Sequence, residues 1–355
     1  MPLTISQLTD DAIELLTQLI QISSFSREEA GTADVLEHFL GRHGIAARRQ
    51  GNNVWAVSKK WDATRPTLLL NSHHDTVQPG VAWTYPPLGA TLEGDRLTGL
   101  GSNDAGAAAV SLLATFRHFY DQATAFNLIC AITAEEEISG AGGIKGILPA
   151  LGEIDLGIVG EPTGMQAAVA EKGLLVLDGV ARGRTGHAAR NEGENALYKA
   201  LDDIAWLRSY QFPKVSALLG PVKMTVTQIQ AGTQHNVVPD ECRYVVDVRP
   251  TECYTNEEIL AIIRANVQAD ITPRSTHLQS SGLPLGHPLV QKAVAMGKAT
   301  YGSPTLSDQA LLHFPTLKMG PGDSARSHAP DEYILLSEIR AGIADYIELL
   351  TDFEF

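Results

Sequence analysis

A chain of 355 residues has room for about two domains, and 44% hydrophobic with 19% charged residues is the make-up of a folded globular protein, which excludes collagen-like, mucin-like and disordered chains. Its 27 basic and 41 acidic residues leave a net charge of −14, which repels phosphate backbones and anionic headgroups, so small molecules are expected as partners, with no nucleic acid and no membrane. Asp10, Asp11 and Glu14 interrupt the first apolar stretch and no basic region precedes it, so the start reads as neither signal peptide nor anchor. Cys130, Cys242 and Cys253 show no CxxC spacing, which argues against a disulfide scaffold or a thiolate zinc site and fits a cytoplasmic protein.

In chain order, Ile13, Leu16, Leu19 and Ile20, then Val35, Leu36, Phe39 and Leu40, recur at helical spacing, with Gly44 as a stop. The runs 67–70, 126–132 and 156–159 are too apolar for half-exposed strands. They predict an α/β fold with a mostly parallel sheet covered on both faces, the Ala-rich stretch 105–120 being one covering helix. From about residue 171 the pattern changes: strand 174–180, helix 195–207, strands 222–229 and 242–248, a helix at 257–267 opened by the capping box Thr255-Asn256-Glu257-Glu258, and a strand within 271–278. That order is the βαββαβ of a split-βαβ α+β domain. A helix at 288–301, a strand at 316–319 and a helix at 338–350 capped by Ser337 then resume the first pattern. The expected organisation is a discontinuous catalytic domain, 1–171 with 281–355, and an inserted domain, 172–280.

Chemistry-bearing residues gather at the junctions of the first domain. Ser72-His73-His74-Asp75 follows a strand, where open α/β sheets place ligands, and residues two apart in extended chain face the same way, so Asp75 can accept a ring N–H of His73. Gly99-Leu100-Gly101-Ser102-Asn103-Asp104 is a glycine-rich loop whose Asp opens a helix. Thr133-Ala134-Glu135-Glu136-Glu137 and Gly160-Glu161-Pro162-Thr163 each follow a strand, and His328 lies in Gly320-Pro321-Gly322-Asp323-Ser324-Ala325-Arg326-Ser327-His328-Ala329-Pro330-Asp331-Glu332 after another. Each alone reads as a surface turn or a cap. Together they put a His or carboxylate at one rim, and two histidines with three carboxylates suit a pair of zinc-type ions.

Ser-His-x-Asp, Gly-x-Gly-x-x-Asp, Thr-Ala-x-Glu-Glu, Gly-Glu-Pro-Thr, Gly-Pro-Gly and Ser-His-x-Pro-Asp-Glu, in this order, resemble the co-catalytic zinc amidohydrolases and metallopeptidases, a family that contains acetylornithine deacetylase, succinyl-diaminopimelate desuccinylase, aminoacylase and glutamate carboxypeptidase. The resemblance spans essentially the whole chain. It implies two divalent ions, zinc first with cobalt or manganese as alternatives, one held by His73, Asp104 and Glu161 and the other by Asp104, Glu137 and His328. It further implies that Glu136 is the general base for a metal-activated hydroxide, with Asp75 orienting His73 and a cis peptide between Asp104 and Ala105. The triple Glu leaves Glu135/Glu136 as the alternative register. Gly186-His187 matches the family's Gly-His, implying an imidazole that supplies the oxyanion donor, often from a partner subunit, although Ala188, Ala189 and Asn191 depart from the usual form. Asn236 and Arg249 resemble substrate contacts, and Arg326 is a candidate anion contact, with a surface salt bridge as the alternative. His38, His43, His118 and His313 have no such context.

The implied activity is cleavage of the amide of an N-acyl amino acid, with N-acetyl or N-succinyl ornithine or citrulline and arginine biosynthesis as the leading reading. Succinyl-diaminopimelate desuccinylase and a metallo-dipeptidase or carboxypeptidase are the alternatives. A homodimer formed through the inserted lid/dimerisation domain is the expected assembly.

Overall fold

Two helices, α1 (Ile5–Ile20) and α2 (Ala30–Arg42), open the computed structural model, which describes residues 3–355. Thr4 and Gln7 cap α1 reciprocally, and Leu8, Ala12, Leu15, Leu16 and Leu19 form its buried stripe. Next come β1 (Arg48–Gln50), β2 (Asn53–Val57), β3 (Thr67–His73), the hairpin β4 (Thr91–Glu93) and β5 (Arg96–Thr98), α3 (Ala107–Phe119), β6 (Asn127–Thr133), α4 (Ile144–Leu151), β7 (Leu156–Val159) and β8 (Ala167–Glu171). They are followed by β9 (Leu175–Arg182), α5 (Ala196–Ser209), β10 (Lys223–Ala231), β11 (Glu241–Arg249), α6 (Asn256–Asn266) and β12 (Asp270–Pro273). The chain ends with β13 (Ser281–Gly282), α7 (Pro288–Ala295), β14 (Thr300–Ser303), β15 (Thr316–Lys318), β16 (Tyr333–Leu335) and α8 (Leu336–Leu350). Contacts divide this chain into one unit formed by residues up to 169 with 282–301 and 307–355, and a second formed by 170–281 with 302–306.

The large sheet of the first unit runs β1-β2-β6-β3-β7-β15-β8-β13, with β14 paired to β8. Its middle strands β6, β3, β7 and β15 are parallel, and β2 joins β6 antiparallel. β3 and β6 are buried at every position because both faces of the sheet are covered. The small residues Ala107, Ala108 and Ala109 bring α3 close, and α3 packs with α1 and α8. Parallel pairing sends the carboxyl ends of β3, β6, β7 and β15 to one rim, and this positions the site.

The second unit is the expected βαββαβ, an antiparallel sheet ordered β10-β11-β9-β12. Alternate burial along β9 and β11 puts Leu175, Leu177, Val246 and Val248 into a core with Ile259 and Ile263 of α6 and Ala196 and Ala200 of α5. Gly179 is required by packing, since a Cβ there would meet the Tyr244 ring at 2.5 Å. Asn195 caps α5 by accepting from Leu197 N–H at 2.9 Å.

Several expected elements are corrected. The helix expected to continue to residue 301 ends at Ala295, because Gly297 adopts φ +81° and the chain then enters β14. The strand expected through 278 ends at Pro273. Ser337 lies inside α8, its hydroxyl donating to Asp95 at 2.5 Å, while Glu338 accepts from Leu335 N–H at 3.0 Å. Asp104 does not cap α3: it sits in the irregular turn Ser102–Gly106, with a cis peptide to Ala105. Among the described residues, no helix is long and apolar enough to cross a membrane.

Candidate active site

His73 closes β3 and is buried. Its Nδ1 donates to the carbonyl oxygen of Asp75 at 3.0 Å, with the Asp75 carboxylate at 3.3 Å, which leaves Nε2 as the inward-facing atom. Asp75 does more than orient this ring. Its carboxylate accepts from Ser26 Oγ at 2.7 Å and from the N–H groups of Glu136 at 3.0 Å and Glu137 at 3.2 Å, so one anion fixes both the imidazole and the turn after β6.

That turn sorts the three glutamates. Glu135 has φ 56° and aims its carboxylate at Gly142 N–H, 3.3 Å away, and at Arg27, 3.9 Å away. A Cβ at Gly140 or Gly142 would meet that carboxylate at 2.0 or 2.3 Å, so the glycines make room for it. Glu136 and Glu137 are the pair brought to the histidines. Glu136 lies 3.7 Å from His73 Nε2 and Glu137 lies 3.0 Å from His328 Nε2.

Asp104 stands between the rings, with Oδ1 3.5 Å from His73 Nε2 and Oδ2 3.6 Å from His328 Nε2. Glu161, just beyond β7, lies 3.8 Å from His73 Nε2. The groups tight enough to share one ion are His73 with Glu136 and Glu161, and His73 with Asp104 and Glu137. The grouping therefore differs from the implied ligand sets: Glu136 stands with His73 and Glu161, and His328 stands outside both groups.

Metal ions fit these residues. Ligands about 2.0–2.2 Å from a tetrahedral ion lie roughly 3.3–3.6 Å apart, close to the spacings found. Nε2 of His73 and Oε1 of Glu137 are buried with no hydrogen-bond partner, as unused ligand atoms would be. The charges point the same way. Burial opposes the charge on His73, but Glu136, Asp104, Asp75 and Glu161 outweigh it and hold the imidazole well above its ordinary pKa. Burial, with the charges of Glu161, Asp308 and Glu137, pushes Glu136 well up despite His73. Burial likewise pushes Glu161 up to about 8, and the hydrogen bond to Glu137 holds His328 up at about 9. Asp104 departs from the other carboxylates: burial opposes its charge, yet His73, Ser327 and His328 keep it below the ordinary range. A cluster that retains protons for want of positive charge suits divalent cations.

The remaining candidates have other surroundings. His187 and Asn236 are exposed and adjoin on one edge of the second unit, where His187 Nδ1 accepts from Ala189 N–H at 3.1 Å and Asn236 O accepts from Ala188 N–H at 3.0 Å. With Nδ1 accepting, Nε2 is the nitrogen of His187 left to donate. Arg249 spends Nε and Nη2 on the carboxylate of Asp247, at 2.8 and 3.1 Å. Arg326 takes the ion-pair reading of its two: its guanidinium makes two hydrogen bonds to Glu338, at 2.7 and 3.1 Å, and stacks on Tyr333.

Two buried carboxylates carry no role in the sequence reading. Asp308 accepts from Thr133 Oγ1 at 2.9 Å, and burial pushes it up to about 7. Glu332, also pushed up to about 7 by burial, accepts three N–H groups from the loop before Asp104 and from Asp104 itself. Asp308 has no spacing signature, whereas Glu332 ends the Ser-His-x-Pro-Asp-Glu motif, which gives its place but not its role.

A buried histidine, an exposed one and several carboxylates between them, gathered beyond the carboxyl ends of parallel strands, have the make-up of a metal centre in an α/β enzyme. The chain belongs to peptidase family M20/M25/M40, whose description matches residues 69–352. A protein from Dinoroseobacter shibae named succinyl-diaminopimelate desuccinylase is 28% identical over 379 aligned positions, covering 97% of this chain and 99% of that one. Among solved structures, an aminopeptidase from Bacillus cereus superposes with a TM-score of 0.78 at 17% identity, covering 96% of this chain and 98% of that one. A dinuclear metal-binding M20 peptidase from Bacillus subtilis superposes at 0.72 with 15% identity, covering 97% and 98%.

Proposed function

We propose that the protein hydrolyses the amide of an N-acyl amino acid, with an N-succinylated diamino acid of the diaminopimelate type ahead of N-acetylornithine or N-acetylcitrulline. The order rests on the desuccinylase name carried by a relative that matches almost end to end, and nothing comparable supports the ornithine reading or arginine biosynthesis. The observation that carries the reaction is Glu136, a buried carboxyl 3.7 Å from His73 Nε2 and beside the Glu137–His328 pair, held there by the Asp75 clamp on its backbone.

His73, Asp104 and Glu161, with Glu137 and His328, would hold two divalent ions, Asp104 being shared because its two oxygens face different rings. Such ions supply Lewis acidity, polarising the scissile carbonyl and making a water acidic enough to attack near neutral pH. Glu136 takes the proton of the attacking water and returns it to the departing amine, as a positioned carboxyl can. Asp75 holds His73 in the tautomer that presents Nε2. His187, with Nε2–H unspent, would donate to the developing oxyanion.

Assembly belongs to the same proposal. On α5, Tyr198 is 66% and Leu201 49% exposed, and on the adjacent edge strand β10, Ile229 is 45% exposed. This apolar edge supports a homodimer through the inserted unit. Sedimentation is expected to give a dimer that Ile229→Lys with Tyr198→Lys converts to a monomer; a monomeric wild type contradicts it.

The substrate is tested by turnover of N-succinyl-diaminopimelate, N-acetylornithine, N-acetylcitrulline and simple dipeptides by the zinc-loaded protein. The highest kcat/KM is expected for the first. Preference for dipeptides establishes a peptidase instead.

A further inference from the structure

The loop that carries Asp104 is held from the side by one carboxylate. In this loop, where Gly101 has φ +73°, Ser102 N–H donates to Gly99 O at 3.1 Å, and the N–H groups of Gly101, Asn103 and Asp104 need acceptors from elsewhere. Glu332 supplies them: its carboxylate accepts from Gly101 N–H at 3.1 Å, Asn103 N–H at 2.8 Å and Asp104 N–H at 2.9 Å. Its own carbonyl accepts from Gly99 N–H at 2.9 Å. Glu332 is buried, and it is delivered to this place because it directly precedes β16, which pairs with β5 in the register Tyr333↔Thr98 just before the loop begins.

A second tie runs from the same loop to the segment that bears His328. Asn103 Oδ1 accepts from Asp323 N–H at 2.9 Å and its Nδ2 donates to Asp323 O at 3.1 Å. Glu332 follows His328 by four residues and Asp323 precedes it by five, so the two ties flank His328 on either side. Between them they fix the loop of Asp104 against the segment of His328, and the 3.6 Å approach of Asp104 Oδ2 to His328 Nε2 lies within that frame.

We infer that Glu332 is a positioning residue: its grip on three N–H groups of this loop, those of Gly101, Asn103 and Asp104, sets the direction in which Asp104 presents its two oxygens. The inference rests on the reading of Asp104 as the shared ligand. A carboxylate can accept all three N–H groups, whereas an amide of the same shape would turn its NH2 toward at least one donor and leave it buried without an acceptor. The cost falls on the aim of Asp104 and so on ion binding, where partners that orient ligands typically contribute 10–100-fold in affinity.

The test is calorimetric titration of the metal-free full-length protein with Zn²⁺, alongside thermal melts. Glu332→Gln is expected to weaken the Zn²⁺ equivalent that depends most on Asp104 by about 10–100-fold relative to wild type. Glu332→Asp, which keeps the charge but draws the oxygens back by one methylene, is expected to fall between the two, and it carries the comparison if the Gln variant does not fold. Asp203→Asn is the control, because Asp203 is a buried carboxylate of the second unit that accepts from Gln268 and Ala269 N–H at 2.8 and 3.0 Å. It is expected to lower Tm without changing the titration. Zn²⁺ affinity of the Glu332 variants within twofold of wild type overturns the inference, as does equal weakening by Asp203→Asn. A wild type that binds no Zn²⁺ instead overturns the reading of Asp104 on which the inference rests.

Discussion

In the first unit, Asp104, Glu136, Glu137 and Glu161 each lie 3.8 Å or less from a histidine ring nitrogen, whereas in the second unit His187 and Asn236 are exposed and Arg249 is paired with Asp247. The contrast is instructive because the two arrangements cost different amounts. Gathering buried like charges carries a penalty of several kcal/mol per ion unless something compensates it, so the first cluster needs a ligand to explain its existence. Exposed polar residues carry no such penalty. Their roles become visible through substrate turnover rather than through the fold.

The sharpest way to break the contrast is at Glu136, the carboxyl proposed to move protons rather than to hold an ion. Glu136→Gln is expected to lower kcat by about 10²–10⁴, the usual worth of a positioned acid–base group, while Glu135→Gln stays near wild type because Glu135 faces Arg27 and Gly142. Steady-state kinetics on the preferred substrate decide it, and the reverse pattern moves the register by one. His187→Ala is expected to lower kcat by about 10²–10³ with zinc content unchanged, as loss of an oxyanion donor does. Unchanged turnover would leave His187 an ordinary exposed histidine. Stripping metal with a chelator is expected to lower Tm and restoring Zn²⁺ to raise it in a concentration-dependent way, since ions that bind only the folded cluster stabilise it by mass action. Calorimetry showing no response to Zn²⁺ would count against the cluster as a cation site. Ser26→Ala is expected to have the smallest effect, less than about tenfold in kcat with KM unchanged, because Asp75 keeps its two backbone donors and His73.

The parts of this arrangement that were legible in the sequence are those written as spacing. His73, Asp104, Glu161 and His328 each follow a strand or glycine loop with a short recognisable pattern, and the apolar runs of β3, β6 and β7 announced a covered parallel sheet. The strand β9 and the capping box of α6 were equally open. What escaped acts through backbone or across distance. Ser26 holds a group far away in sequence with no pattern to betray it, and Glu332 ends a quoted motif that says nothing of its reach to Gly101. The two readings of Arg326 stayed open in the sequence because its partner, Glu338, lies twelve residues on, in a helix that starts earlier than the cap at Ser337 suggested. Gly297 ended α7 early because a single left-handed glycine outweighs the apolar pattern that continues past it.

The central claim is that this cluster binds two ions while leaving Glu136 free to move protons, and its closeness to both His73 and Glu161 is the feature that puts the claim at risk. Zinc content of the Glu136→Gln protein, measured by atomic absorption after saturation and removal of free metal, is the most direct measurement. Two equivalents per chain, equal to wild type, are predicted; loss of one equivalent would make Glu136 a ligand and contradict the account.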